Sequence, residues 1–170
     1  VPVRCTLTMT SCPMMTSAFT FSIRRIPFRV SWWFLFTLGI ISIWRLQPLL
    51  TRPLYSIFGF VELAAVVAFI FIIHEIGHCF AYRRFGHEPS VFLSGLGGVT
   101  SGNGRLSPGR EIVVALCGLG AMFVLVFVPV AILLSTALSN WSPGRDSFGE
   151  LGLLTLTDLA FWSFLWTLVN

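Results

Sequence analysis

The sequence predicts an all-α membrane protein with about four transmembrane helices and a glycine-rich re-entrant or hairpin loop between the second and the third. Two observations support this fold class. Of 170 residues, 55% are hydrophobic and only 11% are charged, and the mean hydropathy is +0.85; about a quarter of the residues of a soluble domain are charged. The apolar residues also fall into four separate runs along the chain, which is typical of helices that cross a bilayer.

The first apolar segment is Val30–Trp44, which follows an arginine-rich stretch. It holds about 15 residues, whereas roughly 20 are needed to cross a bilayer. Tryptophans at both of its ends are suited to the membrane interface. We therefore divide the chain into an N-terminal polar and amphipathic segment, residues 1–28, and a transmembrane domain, residues 29–170, that is incomplete at its C-terminal end.

Three further apolar segments follow. The second runs from about Leu54 to Tyr82, the third from Glu111 to Leu138, and the fourth from about Leu151 to Asn170. Between the second and the third lies VFLSGLGGVTSGNGRLSPG, which has too many glycines for a helix. Its small residues indicate a hairpin or a re-entrant loop.

The arginines indicate the orientation in the membrane. The net charge of +4 includes eleven arginines and no lysine. Because they lie between the apolar runs, we interpret them as topology signals and expect no nucleic-acid partner. Three arginines lie shortly before the first segment. Two arginines follow the first segment, four follow the second, and one follows the third. This alternation favours a cytoplasmic N-terminus and places the end of the second helix near the cytoplasmic face.

The second segment contains FIIHEIGHCF, Phe71–Phe80, with three ionisable residues in an apolar run. On a helix, His74 and His78 lie one turn apart on one face, so both imidazoles can reach one zinc ion at about 2.0–2.1 Å. Glu75 projects near the same site, where it can take a proton from water and pass it to a leaving amine. A short motif also arises by chance. However, a charge at mid-membrane costs about 2.5–3.5 kcal/mol and is retained mainly for function.

The motif therefore predicts a site for one Zn²⁺ ion, with Glu75 as the catalytic residue. A soluble metalloprotease of the metzincin class needs glycine three residues and histidine six residues after the second histidine. Ala81 and Arg84 occupy those positions, which excludes that class. Gly77 and Ala81 are small enough to let another helix or a substrate backbone approach closely.

Other ionisable residues near the apolar segments have simpler explanations. We expect Asp158 to face other helices or the interface, and Glu62 to make a buried polar contact with another helix. His87 lies between a helix-stopping glycine and a proline, which indicates a solvated loop position. Glu111 suits the positive end of a helix dipole.

Two stretches of the sequence, FIIHEIGHCFAYRRFG and FLSGLGGVT, together resemble the site-2 protease family of intramembrane zinc metalloproteases. The resemblance covers about Phe19 to Asn170. It implies a core of three transmembrane helices, with His74 and His78 as zinc ligands and Glu75 as the catalytic glutamate. It also implies a loop that helps to present substrate, with three glycines: Gly95, Gly97 and Gly98.

The sequence departs from the family pattern at two places. Gly118 is kept, but Leu119 and Met122 stand where the family usually has proline and asparagine. The third zinc ligand of the family is an aspartate in an Asn-x-x-Pro…Asp-Gly motif, and Asn170 matches the first residue of that motif. We therefore expect the aspartate just beyond Asn170.

Two functions follow as hypotheses. The leading one is an intramembrane zinc endopeptidase that cleaves in or near transmembrane segments of other membrane proteins. The alternative is an inactive relative or fragment that serves as a membrane scaffold or binding protein; a metal or proton transporter would need more intramembrane carboxylates. The expected partners are the lipid bilayer and a membrane-protein substrate, with the site near the cytoplasmic side of a bacterial cell membrane. The sequence does not indicate an oligomeric state.

Overall fold

The computed structural model describes residues 17–47, 49–95, 97–139 and 147–169. Residues 1–16 of the predicted N-terminal segment and Asn170 lie outside the described residues. The strands are β1 (Ser17–Ile23), β2 (Ile26–Ser31), β3 (Pro89–Ser94) and β4 (Gly97–Gly102). The helices are α1 (Trp32–Ser42), α2 (Pro53–Arg84), α3 (Pro108–Met122), α4 (Val128–Ser139) and α5 (Ser147–Val169).

The chain is mostly helical, as predicted, but four strands form one sheet in the order β1-β2-β3-β4, so the fold is not all-α. Each of β1–β2 and β3–β4 is an antiparallel hairpin, and β2 pairs with β3 in parallel. The glycine-rich stretch forms the β3–β4 hairpin, which is one of the two alternatives that the sequence offered. In β2, buried Ile26, Phe28 and Val30 alternate with exposed residues, the pattern of a strand with one face on a core.

The turn between β1 and β2 connects the first hairpin to the end of α2. Its two residues, Arg24 and Arg25, have positive φ angles of 48° and 65°, a conformation that costs a residue with a side chain about 1–2 kcal/mol. Nη2 of Arg83 donates a hydrogen bond of 2.6 Å to the carbonyl oxygen of Arg24. The sheet is therefore held at the C-terminal end of α2.

Two helical stretches, Pro53–Arg84 and Pro108–Ser139, are long and apolar enough to cross a membrane. Each has 32 residues, which is about 48 Å of helix. Helix α2 begins with proline at its first position and ends before Gly86, whose φ of 81° suits a helix-terminating glycine. The first and last apolar segments form the shorter apolar helices Trp32–Leu46 and Gly152–Leu168. Four membrane spans thus stay a prediction.

The second long stretch is not a regular α-helix throughout. A π-helical turn, Phe123–Phe127, joins α3 to α4. Pro129 follows in the first turn of α4, and because proline has no N–H it removes one hydrogen bond from the preceding turn. This accounts for the local irregularity.

Two groups of buried side chains hold the helices together. The first lies between the sheet, α1 and α2, and includes Phe28, Phe34 and Phe71. The second lies between α2, the α3–α4 stretch and α5, and is formed by these residues: Val66, Ile70, Met122, Val126 and Val130. Met122, which stands where the family usually has asparagine, is thus a fully buried core residue.

Gly77 marks the closest approach between α2 and α3. A Cβ atom at this position would lie 2.8 Å from Cβ of Ala121 and 2.9 Å from Cα of Gly118. Both distances are shorter than van der Waals contact. The predicted close approach of another helix at Gly77 is therefore confirmed, and it places α3 across the face of α2 that carries the two histidines.

We predict that Gly77→Ala lowers the free energy of unfolding by about 1–3 kcal/mol, because the added methyl group forces α2 and α3 apart. Gly120→Ala on α3 is the matched control, since a Cβ atom there meets nothing within 4 Å and alanine favours helix by about 1 kcal/mol. Thermal unfolding of both variants in detergent, followed by circular dichroism, measures the difference. Equal unfolding midpoints for the two variants would contradict the close packing.

Candidate metal centre

His74, Glu75 and His78 on α2 form one compact group. His74 and Glu75 are only 1% and 2% exposed, and one potential ligand atom from each of the three residues lies within 4.8 Å of the others. The Nε2 atoms of the two histidines are 2.9 Å apart. Two nitrogens bound to one tetrahedral zinc ion lie about 3.3 Å apart, given bond lengths of about 2.0–2.1 Å. The group could therefore hold a metal ion.

The backbone of α3 orients the His78 ring. The carbonyl oxygen of Val114 accepts a hydrogen bond of 2.7 Å from Nδ1 of His78, which leaves the lone pair on Nε2 facing His74. Metal-binding histidines almost always donate their other ring N–H to such a partner. The His74 ring lies against the backbone of Gly118. The His78 ring thus has the outer hydrogen bond that is typical of a histidine that binds a metal.

Gly118 provides the space that the two imidazoles occupy. A Cβ atom there would lie 2.5 Å from Nε2 of His78 and 2.9 Å from Cε1 of His74. Any side chain at this position would therefore displace the rings. In the sequence, only the family resemblance marked this glycine, because its closeness to the motif depends on how α3 crosses α2.

Strand β4 packs against Glu75. The hydroxyl of Thr100 donates a hydrogen bond of 2.5 Å to Oε2 of Glu75, and a Cβ atom at Gly98 would lie 2.5 Å from Oε1 of the same carboxylate. Sγ of Cys79 is 3.9 Å from the Thr100 hydroxyl. The carboxylate is therefore held between α2 and the strand. Sequence reasoning missed the contribution of Thr100.

The three glycines predicted for a substrate loop have different positions. Gly95 lies in the β3–β4 turn with a positive φ of 54°, and Gly98 lies against Glu75. Gly97 begins β4, and a Cβ atom there would be 3.9 Å from Cη2 of Trp166 on α5. The Trp166 ring centroid is 6.2 Å from that of His74. Among these three, Gly98 is the one that touches the His–Glu–His group.

A cavity of about 230 Å³ opens over the group. Besides the two histidines and Glu75, its lining comprises Gly98, Thr100, Glu111, Val114 and Ala115. Glu111 is exposed in the first turn of α3, as predicted from the helix dipole. The lining thus extends from the buried imidazoles to exposed Glu111, which gives water a route to the group.

The remaining candidates lie elsewhere in the described part of the chain. Asp158 accepts a hydrogen bond from Arg45, and Glu62 lies close to Asp158 and Thr155 on α5. Both carboxylates therefore face other helices, as expected. His87 packs against the Tyr82 ring at 6.3 Å between centroids and does not join the metal-binding group.

No family model, curated protein or solved structure matches the chain. The similarity to site-2 proteases therefore stays a prediction that depends on the sequence motifs.

We predict that Gly118→Ala abolishes tight metal binding, because the methyl group occupies the place of the two imidazole edges. Co²⁺ titration of the purified protein, followed by visible absorption, measures the affinity, and Zn²⁺ competition confirms the site. The control is again Gly120→Ala, two residues away on the same helix, which should bind like the wild type. A Gly118→Ala protein with wild-type affinity would show that the rings do not bind the metal in this arrangement.

Proposed function

We propose that this protein is an intramembrane zinc metalloendopeptidase that hydrolyses peptide bonds in or near transmembrane segments of other membrane proteins. One observation carries the proposal. Two imidazole nitrogens lie 2.9 Å apart beside a buried carboxylate, on a helix long and apolar enough to cross a membrane. Ionisable groups at such a position are expensive to bury and mark functional sites.

The residues of the group have separate roles in this proposal. His74 and His78 would hold the zinc ion, and the Val114 carbonyl, which accepts from Nδ1 of His78, leaves Nε2 of that ring free to bind it. When bound, the ion supplies Lewis acidity and makes water acidic enough to lose a proton near neutral pH. Glu75 accepts that proton as the water attacks the substrate carbonyl, and then returns it to the leaving amine.

Thr100 acts as a positioning residue for Glu75. Its hydroxyl donates to one carboxylate oxygen, and Gly98, which has no side chain, makes room for the other oxygen. The carboxylate is thereby held at the wall of the cavity, where it can reach a water molecule and a substrate amide. Such preorganisation is what general base catalysis requires.

The edge of the sheet offers a place for the substrate. In the described residues, β4 is the last strand of the sheet and pairs only with β3. Its free edge therefore carries unpaired backbone groups beside Glu75, to which an extended peptide can add as a further strand. A peptide bond in a substrate helix is shielded by its own hydrogen bonds, so pairing with β4 would keep the cleaved segment extended.

The resemblance implies a third zinc ligand, an aspartate. Helix α5 lies beside the group, since Trp166 near the end of that helix lies beside His74. The inactive-scaffold alternative is the outcome to expect if the protein binds zinc but cleaves no substrate.

Glu75→Gln should abolish cleavage and leave the zinc content unchanged, whereas His74→Ala and His78→Ala should lose both. The probe is a fluorescently labelled single-span apolar peptide with helix-breaking residues at its centre, incubated with the full-length protein in detergent, and zinc is measured by elemental analysis. Glu88→Gln, in an exposed loop, is the matched control. Cleavage by Glu75→Gln would overturn the proposal, and loss of zinc from this variant would make Glu75 a ligand instead of the base.

Thr100→Val should lower kcat by about ten- to a hundredfold with KM and zinc content unchanged, because a hydrogen bond to a charged group is worth about 1.5–3 kcal/mol. Valine keeps the shape of threonine but removes the hydroxyl donor. Thr100→Ser, which restores the donor, should recover most of the activity. If the valine variant is as active as the wild type, Thr100 does not position the catalytic carboxylate.

A further inference from the structure

A second buried polar cluster lies on the helices, away from the metal-binding group. Arg45, in the 3₁₀ turn Ile43–Leu46 after α1, donates a hydrogen bond through Nη2 to Oδ2 of Asp158 on α5. The two side chains are 11% and 12% exposed. Glu62 on α2 lies close to Asp158 and Thr155 on α5. The cluster therefore joins three separate helical segments.

The Arg45 side chain also packs against other groups. The stem of Arg45 lies over Gly59 of α2, where a Cβ atom would be 3.8 Å from Cδ of the arginine. The Arg45 guanidinium also lies over the Trp44 ring, 4.4 Å from its centroid. Because a charge is costly to bury in an apolar environment, an ion pair is retained there only with close partners. Arg45 has such partners on both sides.

The other contacts of α5 with the bundle are largely apolar and do not define its position as sharply. Its partly buried residues pack on the second core group through Leu156, Leu159, Ala160 and Trp162. In a bilayer, apolar side chains are as favourable against lipid as against another helix. Such contacts alone do not select one rotation or depth of α5. A directed ion pair does so, in the way that single polar residues set the register of coiled coils.

The same helix reaches the metal-binding group at its other end. Trp166 lies eight residues after Asp158, which is about 12 Å along the helix. Its ring is 4.2 Å from that of Phe71 and 6.2 Å from that of His74, between centroids. A slip of α5 by one residue would rotate it by about 100° and move Trp166 away from the His74 ring.

We propose that Arg45 and Asp158 are positioning residues for the metal centre: their ion pair, with Glu62 beside it, fixes the rotation and depth of α5 so that Trp166 covers His74. The part of this inference that concerns the metal depends on the proposed function. The part that concerns the position of α5 does not depend on it.

The position of α5 can be measured without a metal. Phe69 on α2 and Phe161 on α5 are 49% and 57% exposed, so p-acetylphenylalanine can replace both and carry spin labels in the full-length protein. Electron–electron distance measurements should give one narrow distribution for the otherwise wild-type protein. Asp158→Asn and Arg45→Gln should broaden or shift it. Arg52→Gln, which removes an exposed arginine at the start of α2, should leave it unchanged.

The effect on the metal centre is measured in the same variants. Asp158→Asn and Arg45→Gln should weaken Co²⁺ binding about tenfold, at the low end of the effect of outer partners of a metal site. Asp158→Glu and the exchanged pair Arg45→Asp with Asp158→Arg should restore both the narrow distance and the affinity. If the single variants fail to accumulate in membranes, the exchanged pair still tests whether the ion pair positions α5.

Two results would overturn the inference. One is an unchanged distance distribution together with wild-type Co²⁺ affinity in both single variants. The other is an exchanged pair that behaves like the single variants. If the wild-type protein itself binds no Co²⁺, the proposed function fails, whereas the distance measurement still decides whether the ion pair positions α5.

Discussion

Helices α2 and α3 approach each other so closely at Gly77 and Gly118 that neither position has room for a methyl group. The candidate metal centre depends on this contact. It brings the Val114 carbonyl within hydrogen-bonding distance of His78 and lets both imidazoles lie against a bare stretch of backbone. Small residues at helix contacts are common in membranes, because close backbone packing replaces the hydrophobic effect as the source of attraction. Here the same contact that joins the helices also shapes the centre.

Burial favours partners for the polar groups of the centre, and the partners of His78 and Glu75 come from distant parts of the chain. Helix α3 provides the backbone contacts of the two histidines, and β4 provides the Thr100 hydroxyl for Glu75. An unpaired polar group in an apolar interior costs several kcal/mol. Strand β4 therefore both covers the carboxylate and provides, within the described residues, a hydrogen-bond donor to it from outside α2.

The sequence was sufficient to predict the helix that carries the centre, its three ionisable residues, and the role of Gly77 in close packing. It was not sufficient for the sheet, although the alternation of Ile26, Phe28 and Val30 in β2 was visible. That alternation spans only six residues within an arginine-rich stretch, and its partner β3 follows after two intervening helices. Thr100 gave no signal, because its orientation toward Glu75 depends on the register of β4, and a shift by one residue would turn it to the other face.

The ionisable side chains buried in the described helices form two groups, which lie at two different heights along α2. Glu62 with its neighbours lies twelve residues before His74, which is about 18 Å along the helix. Helix α5 contacts both levels, through Asp158 and through Trp166. Because apolar packing leaves the position of a helix in a membrane weakly determined, a centre that needs sub-ångström geometry benefits from a directed contact elsewhere on the same helix. The few ionisable groups buried in the described helices thus lie at the group that could hold a metal and at the Arg45–Asp158 pair, whereas the rest of the helix packing is largely apolar.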